Sequence, residues 1–151
     1  MRIYLACTVR GDRDAIATLR DACARLRDYG HDVLTAHLLR DDVEAVESAL
    51  SERQVFERDI EWLTSCDTVI AEASGSSFGV GFEVGYVLAR ALESGQHVYL
   101  VYDRKRSDRI SRLITGNTHA HCTTFGYESP ADLIAFIDTH FQAATAPRDS
   151  S

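Results

Sequence analysis

Glycines and serines surround one carboxylate, Glu83, in residues 76–85. The apolar run before them, residues 68–71, is typical of a buried strand, and residues 86–92 are typical of a helix. In open α/β sheets, ligands bind outside the carboxyl ends of the strands, and the free N–H groups of a helix start favour an anion. Glu83 then falls in or near the first helical turn, where a carboxylate stays ionised and could act as a nucleophile. An acidic residue there also simply complements the helix dipole, so the local pattern leaves both interpretations open.

The elements that must position this carboxylate alternate along the chain. Short apolar runs predict strands at residues 2–7, 32–35, 67–72, 97–102 and 121–125. Helical spacing of apolar residues predicts helices near residues 16–26, 49–65, 86–92, 110–114 and 130–141. Ser129 is a good N-cap for the last of these helices, and Pro130 a good first residue. Five alternations predict an α/β, single-domain, doubly wound fold (Rossmann or flavodoxin-like), with a five-stranded parallel sheet and helices on both faces.

The loops after the first four strands would share one rim of this sheet. Thr8, Arg10 and Gly11 follow the first strand, and His37 follows the second. The segment with Glu83 follows the third, and the charged residues 104–111 follow the fourth. This rim combines donors suited to a phosphate with a lone carboxylate, although it does not by itself name a reaction.

Composition narrows the class of protein. The 151 residues favour one domain, which we expect at residues 1–143 with a disordered tail at 144–151. A net charge of −7 argues against binding to a nucleic-acid polymer or a membrane surface. We expect no membrane span and no signal peptide. The four cysteines form no CxxC pair and are interpreted as free thiols, so we also expect a cytoplasmic location.

Metal and cofactor motifs are weak in this sequence. His119, His121 and Cys122 could share a strand face, but no second ligand pair has matching spacing, so we expect no metal. Gly79 and Gly81 suggest a dinucleotide site only faintly, because the next glycine and the ribose-binding acid do not follow the fingerprint. We therefore expect no cofactor.

Several segments together resemble a known family, and the resemblance covers residues 2–141. They are residues 3–5, 8–11, 59–63, 67–72 and 79–85, the last of which reads Gly-Val-Gly-Phe-Glu-Val-Gly. They resemble the nucleoside 2-deoxyribosyltransferase superfamily and within it look most like the 2′-deoxynucleoside 5′-monophosphate N-glycosidases. Each piece alone would be weak, but the combination is specific.

The resemblance implies hydrolysis of the base–sugar bond of a 2′-deoxynucleoside 5′-monophosphate to a free base and 2-deoxyribose 5-phosphate. The motif glutamate, here Glu83, would attack the anomeric carbon and form a covalent glycosyl ester that water then breaks. Asp59 matches a carboxylate that positions or protonates, and Tyr4 matches a tyrosine near the nucleophile and sugar. The alternatives for these two residues are a solvated charge on a helix and a core tyrosine.

The resemblance also assigns substrate-binding residues. Thr8, Val9, Arg10, Gly11 and Ser77 match positions used for the 5′-phosphate, with Gly79 and Gly81 in the motif around them. His37 matches a histidine near the base. Ser111 matches a serine that family dimers send into the partner's site, so the resemblance implies a homodimer with a shared active site.

The sequence departs from the family pattern at the first turn. Cys7 and Thr8 stand where glycine and serine are commoner, and Asp12 stands where a small residue is more usual. A carboxylate beside a phosphate weakens binding unless a cation, here Arg10 or Arg13, offsets it.

Three other functions remain open at this stage. The first is an N-glycosidase acting on ribonucleotides such as cytidine monophosphate, and the second is a base-exchanging nucleoside 2-deoxyribosyltransferase. The third is a non-catalytic nucleotide-binding module on the same fold. The presence of Arg10 and Ser111 argues against the transferase, and Glu83, Asp59 and Tyr4 together argue against the module.

Overall fold

Five parallel strands form the centre of the protein in the computed structural model, which describes residues 1–142. Their order is β2-β1-β3-β4-β5. The strands are β1 (Arg2–Ala6), β2 (Asp32–Val33), β3 (Thr68–Glu72), β4 (His97–Asp103) and β5 (Cys122–Tyr127). Six α-helices connect and flank them: α1 (Ile16–Asp28), α2 (Val43–Ser48), α3 (Glu52–Ser65), α4 (Phe78–Ser94), α5 (Arg112–Thr115) and α6 (Pro130–Phe141). Two 3-10 helices lie at Ala36–Leu39 and Arg104–Arg109.

The hydrophobic core has two halves, one on each face of the sheet. Ile3 and Leu5 of β1 pack with the apolar faces of α1 and α6. Tyr4 and Ala6, which alternate with them along the strand, pack with α3 and α4 on the other face. The predicted doubly wound α/β fold is therefore confirmed, and the side chain of Tyr4 faces α4.

The chain changes direction between β1 and β3, and this feature positions the site. These two strands are neighbours, pairing Tyr4 with Val69 and Ala6 with Ala71. The helix after β1 packs on one face of the sheet and α4, which follows β3, packs on the other. The loops after these strands therefore diverge and leave a crevice at the carboxyl ends, which is the usual ligand site of such folds.

The third helix has a strong start signal. Ser51 accepts a hydrogen bond from the backbone N–H of Gln54, and the Gln54 side chain accepts one from the N–H of Ser51. This capping box fixes where α3 begins, at Glu52 and not near residue 49 as the sequence predicted. Asp59 lies two turns into that helix.

The helix predicted near residues 86–92 begins earlier, inside the segment 76–85 that surrounds Glu83. Ser77 caps α4, which begins at Phe78, so the motif is helical and Glu83 lies in the second turn. Val80, Val84, Val87 and Ala91 form its buried stripe. Packing of this stripe outweighs the low helix propensity of the glycines.

Other boundaries differ by a few residues. The second strand ends at Val33 because Ala36–Leu39 turns into a 3-10 helix, whereas β4 reaches Asp103 and β5 reaches Tyr127. The predicted tail at 144–151 lies outside the described residues, as does residue 143. No helix within residues 1–142 combines the length and the apolar character needed to cross a membrane.

Candidate active site

A cavity of about 410 Å³ lies at the β1–β3 crevice. The loop after β1, the start of α4, the third helix and the segment between α2 and α3 all contribute to its wall. Glu83 and Asp59 line it, and so do Val9, Arg10, Ser77 and Gly79 from the residues proposed for substrate binding. The crevice therefore brings both predicted carboxylates together with part of the predicted phosphate site.

A larger groove of about 570 Å³ lies elsewhere, between α1 and residues 36–42. Two of its three arginines already have partners: Arg20 contacts the backbone oxygen of Leu39 and the Asp41 carboxylate, and Arg40 pairs with Asp42. The groove is open and lacks the convergent carboxyl groups of the crevice. The larger volume of the groove therefore does not make it the functional site. The converging carboxyl groups identify the smaller cavity as the candidate site.

Glu83 is the most perturbed carboxyl group of the crevice. The Tyr4 hydroxyl donates to its Oε1 at 2.6 Å, while Oε2 accepts no hydrogen bond from the described residues. Burial raises the pKa of Glu83 to about 7, the Tyr4 hydrogen bond opposes the rise, and the nearby Asp59 adds to it. The expectation that a helix start would keep this carboxylate ionised was therefore wrong, because desolvation outweighs the dipole one turn further in.

Tyr4 is fully buried beneath the pocket, so it holds Glu83 from below and does not line the cavity. Burial and the neighbouring Glu83 carboxyl both raise the pKa of Tyr4 above its ordinary value. The phenol therefore stays protonated and remains a hydrogen-bond donor. Cys7, which follows β1 directly and lines the pocket, is also neutral, because burial raises the pKa of its thiol to about 12.

Asp59 reaches the crevice from α3. Arg58 contacts its Oδ1 through Nε at 2.9 Å and through a terminal nitrogen at 2.8 Å. Oδ2 accepts no hydrogen bond within residues 1–142. Burial raises the pKa of Asp59, and the hydrogen bond and charge of Arg58 oppose that rise. Like Glu83, this carboxyl has one oxygen held by the protein and one left free.

His37 lies behind the pocket and not in its wall. Its Nε2 is 3.1 Å from Oε1 of Glu47, and its ring meets Trp62 edge to face with centroids 5.6 Å apart. Glu47, in contrast, lines the cavity. The structure therefore places the predicted base-side histidine one layer away from the cavity, with Glu47 between.

The phosphate end of the crevice combines a cation with the start of α4. Arg10 is exposed and has no ion pair among the described residues. Ser77 accepts a hydrogen bond from the N–H of Val80 at 3.4 Å, and Gly79 completes this side of the wall. Free N–H groups at the helix start and one mobile guanidinium are features that suit a phosphate.

Two residues of the predicted first-turn motif do not line the cavity. Thr8 is buried, and its hydroxyl has no hydrogen-bond partner in the described chain. A Cβ on Gly75 would lie 2.6 Å from that hydroxyl, so Thr8 packs against the loop after β3. Gly11 has φ of +132°, a backbone conformation that favours glycine, so its role in the turn is conformational.

Asp12 is neutralised in a way the sequence did not predict. Its carboxylate pairs with Arg106, from the 3-10 helix after β4, and this hydrogen bond holds the pKa of Asp12 below its usual range. Arg13 instead donates to the backbone oxygens of Thr8, Leu38 and Arg40. The cation that offsets Asp12 is therefore Arg106, and neither Arg10 nor Arg13 pairs with it in the described residues.

Ser111 and Gly81 lie at a second, apolar groove on the outer side of α4. Ser111 caps α5 by accepting a hydrogen bond from the N–H of Leu113. Around it are Phe78, Phe82 and Leu113, with 99%, 53% and 81% of their surfaces exposed. Within one chain, Ser111 does not line the cavity that holds Glu83.

The histidines once considered as metal ligands are engaged with each other and with backbone. His119 Nδ1 accepts from the N–H of His121, whose own Nδ1 lies 3.0 Å from the backbone oxygen of Gln96. No group of three or more His, Cys, Asp or Glu side chains in residues 1–142 is arranged to hold a metal ion.

The sequence analysis missed Glu47, which lines the pocket, and Arg58, which lies behind the wall and binds it. The guanidinium of Arg58 binds both oxygens of Glu47, at 2.9 and 3.0 Å, as well as Asp59. Arg58 stands next to Asp59 in the sequence, which was an available signal. Glu47 belongs to another helix, and only the folded chain brings it to the same guanidinium.

The structure thus defines an α/β protein with a doubly wound sheet and, at its switch point, a crevice lined by a tyrosine-bound carboxyl group. The profile of the nucleoside 2-deoxyribosyltransferase family matches residues 3–128. The chain therefore belongs to the nucleoside 2-deoxyribosyltransferase family.

Two relatives found by sequence comparison are named as hydrolases. A proposed 2′-deoxynucleoside 5′-phosphate N-hydrolase 1 from Thermofilum pendens is 38% identical over 139 residues, which cover 92% of this chain and 94% of the relative. The 5-hydroxymethyl-dUMP N-hydrolase of Danio rerio is 33% identical over 117 residues, covering 77% of this chain and 78% of the relative.

A solved structure shares the fold. The CMP N-glycosidase of Clostridium botulinum superposes with a TM-score of 0.67 at 20% identity, covering 92% of this chain and 98% of that one. At this identity the likeness concerns the fold alone.

Proposed function

We propose that the protein hydrolyses the N-glycosidic bond of 2′-deoxynucleoside 5′-monophosphates, giving a free base and 2-deoxyribose 5-phosphate. The observation that carries this proposal is the carboxyl group of Glu83. Tyr4 holds its Oε1, and Oε2 is left free on a side chain that lines the crevice. A carboxylate fixed through one oxygen is well suited to attack through the other.

The reaction has two steps. In the first, Oε2 of Glu83 forms a bond to the anomeric carbon as the bond from that carbon to the base nitrogen breaks, and the base takes up a proton. In the second, water attacks the same carbon, the ester bond breaks, and Glu83 is regenerated. Asp59 positions the sugar or supplies the proton, and the Tyr4 hydroxyl keeps the nucleophile oriented.

The phosphate end supports a nucleotide and not a nucleoside as the substrate. Arg10 is an exposed cation in the pocket wall, and α4 begins beside it with Ser77 and Gly79. A 5′-phosphate would bring two negative charges to this end, which the guanidinium and helix N–H groups can accept. Val9 lines the pocket beside them, while Thr8 and Gly11 shape the same loop from below.

The names of the relatives support the same substrate class. The T. pendens relative is named for 2′-deoxynucleoside 5′-phosphates and the D. rerio relative for 5-hydroxymethyl-dUMP, both nucleotide monophosphates carrying deoxyribose. Both are named as N-hydrolases. This favours hydrolysis over base exchange and makes the protein a glycosidase of N-glycosyl compounds.

We also propose that a second copy of the chain covers the apolar groove beside α4. Phe78, Phe82 and Leu113 are large exposed apolar side chains around Ser111, and the groove shares Ser77 and Val80 with the active-site wall. A copy docked here would bring its own Ser111 close to the other site.

Sedimentation velocity tests this dimer. Phe78→Glu should convert the dimer to a monomer, whereas Leu92→Glu, an exposed change further along α4, should not. A wild-type monomer at micromolar concentration would contradict the dimer.

A cytoplasmic location is proposed from the thiols. Cys7, Cys23, Cys66 and Cys122 are all free in the described structure, and the first three are buried. Free buried thiols suit a reducing compartment. Fractionation of the cells that make the protein would test this, and recovery outside the cytoplasm would contradict it.

The decisive experiment for the activity measures base release from each deoxynucleoside 5′-monophosphate. The matching ribonucleotide and unphosphorylated deoxynucleoside are run beside it. Glu83→Ala is the loss-of-function variant, and Glu93→Ala, an exposed glutamate on the same helix, is its matched control. We expect release from deoxynucleotides that Glu83→Ala abolishes and Glu93→Ala retains.

Other outcomes would redirect the proposal. Release from the ribonucleotide would indicate a ribonucleotide N-glycosidase. Turnover of the nucleoside, with exchange when a second base is added, would indicate a transferase. Binding without turnover on any substrate would leave a nucleotide-binding module.

A further inference from the structure

One guanidinium joins two helices beside the pocket, α2 and α3. Arg58 of α3 contacts Asp59 on its own helix and binds Glu47 of α2 through both carboxylate oxygens. It also lies over the ring of Trp62, 4.9 Å from the centroid. The side chains of Arg58 and Glu47 are 19% and 13% exposed, so this ion pair is far less hydrated than a typical surface pair.

We propose that Arg58 is a positioning residue for base release: it fixes Oδ1 of Asp59 so that Oδ2 faces the substrate, and it ties α2 to the pocket wall through Glu47. This inference rests on the proposed function, because it assigns Arg58 a role in the same reaction. Arg58 itself does not line the cavity, whereas both carboxylates that it binds do.

The geometry calls for arginine and not for any cation. A guanidinium is planar and presents several N–H groups at once, so it can bind Glu47 through two parallel bonds and still reach Asp59. The same planar group packs over the indole of Trp62. A lysine ammonium is a compact charge that could face one carboxylate well but not hold both in these positions.

Charge balance supports the same role. Asp59 and Glu47 are neighbouring acidic groups that repel each other when both are ionised. Arg58 is the cation beside them, and His37 is a protonatable group beside them. Arg58 lowers the pKa of Glu47 and opposes the effect of burial on the pKa of Asp59. Without the guanidinium, Asp59 would still be buried beside the like-charged Glu47, and its free oxygen Oδ2 would no longer be held in one direction.

An ordinary helix ion pair provides the comparison. Arg53 contacts Glu57 on the same helix at 2.6 Å, but their side chains are 84% and 56% exposed. Such exposed pairs have little effect on stability or on anything distant from them. Arg53 is therefore a matched control for Arg58, with the same residue type, the same helix and no contact with the pocket.

The experiment compares Arg58→Met, Arg58→Lys and Arg53→Met with the wild type on the best deoxynucleotide substrate. For Arg58→Met we expect kcat to fall about 10- to 100-fold with a much smaller change in KM, because a misplaced Asp59 affects the chemical step. Arg58→Lys should recover part of the loss through its charge, and Arg53→Met should match the wild type.

A second measurement does not depend on turnover. The carboxyl carbon of Asp59, followed by NMR during a pH titration, should titrate at higher pH in Arg58→Met than in the wild type and should not move in Arg53→Met. Thermal melting of every variant confirms that it is folded. Should Arg58→Met fail to fold, Arg58→Lys carries both measurements.

The results separate this inference from the proposed function. Wild-type protein that releases no base from any nucleotide would overturn the proposed function and the inference with it. An active wild type with Arg58→Met unchanged in kcat, or with an unmoved Asp59 titration, would overturn the inference alone. A lower kcat that merely tracks a loss of folded protein would also overturn it.

Discussion

The Tyr4 hydroxyl lies 2.6 Å from Oε1 of Glu83, across 79 residues of sequence and beneath the floor of the pocket. The tyrosine is fully buried, and its hydroxyl donates to this one oxygen of Glu83. The bond has two consequences. It leaves Oε2 without a hydrogen-bond partner in residues 1–142, and it lowers the pKa of Glu83, which burial otherwise raises.

Removing that hydroxyl should weaken the nucleophile in a measurable way. Tyr4→Phe retains the ring and loses the hydrogen bond, so the pKa of Glu83 should rise further and kcat/KM at pH 7 should fall about 10-fold or more. Tyr29→Phe is a matched control, because Tyr29 donates to Asp138 at the same 2.6 Å but lies outside the site. Equal activity of the two variants would contradict the role given to Tyr4.

The activity of the wild type should depend on pH through Glu83. Its pKa is about 7, and the nucleophile must be ionised to attack. We therefore expect kcat/KM to rise with pH through an acid limb near 7 and to lose about tenfold for each pH unit below it. The profile should be recorded from pH 5 to 9 in buffers of constant ionic strength. A limb near pH 4, the ordinary range of a glutamate, would contradict the burial argument.

The same group should make the fold less stable as pH rises. The folded state holds the Glu83 proton up to about pH 7, while the unfolded chain releases it near the ordinary value of 4.5. Stability due to this group is therefore lost between those two values, by on the order of 3 kcal/mol at most. Glu83→Gln carries no titrating proton at this position. The melting temperature of the variant minus that of the wild type should therefore increase from pH 5 to pH 8. A constant difference across that range would contradict the linkage.

Alternating runs in the sequence were sufficient to predict the five strands and five of the six described α-helices, but not the short α2. Parallel strands with both faces covered are almost continuously apolar, as in residues 3–6 of β1, and such runs are easily recognised. The start of α4 was missed because glycine is a poor helix former, although the stripe of Val80, Val84 and Val87 was present in the sequence. Packing against the sheet decided the conformation of the motif.

The site could be predicted only in part. The local pattern drew attention to Glu83, but its role, like those of Asp59 and Tyr4, came from the resemblance to a family. The partners of charged groups were not predictable, because Glu47 with Arg58 and Asp12 with Arg106 meet only after folding. The second of these pairs spans 94 residues, which no local pattern can indicate.

Arg10 should distinguish a nucleotide from a nucleoside. It is the exposed cation of the crevice, so Arg10→Gln should raise the KM for a deoxynucleotide about 10-fold, equivalent to one charge-assisted contact, and leave any activity on the nucleoside unchanged. Arg104→Gln is the control, because Arg104 is exposed and pairs with Glu128. The effect should weaken at high salt. An equal rise in KM for both substrates would show that Arg10 does not contact the phosphate.

Gly75 should be the least replaceable glycine of the site's loops. A Cβ at this position would lie 2.6 Å from the Thr8 hydroxyl and 2.8 Å from the backbone oxygen of Asp12, so the loop after β1 would have to move. Gly75→Ala should therefore destabilise the protein by about 1–3 kcal/mol in urea unfolding and reduce base release. Gly85→Ala is the matched control within α4: its Cβ would meet nothing within 4 Å, and it should stabilise the protein by about 0.5–1 kcal/mol. Equal effects of the two substitutions would mean that Thr8 and Gly75 are not in close contact.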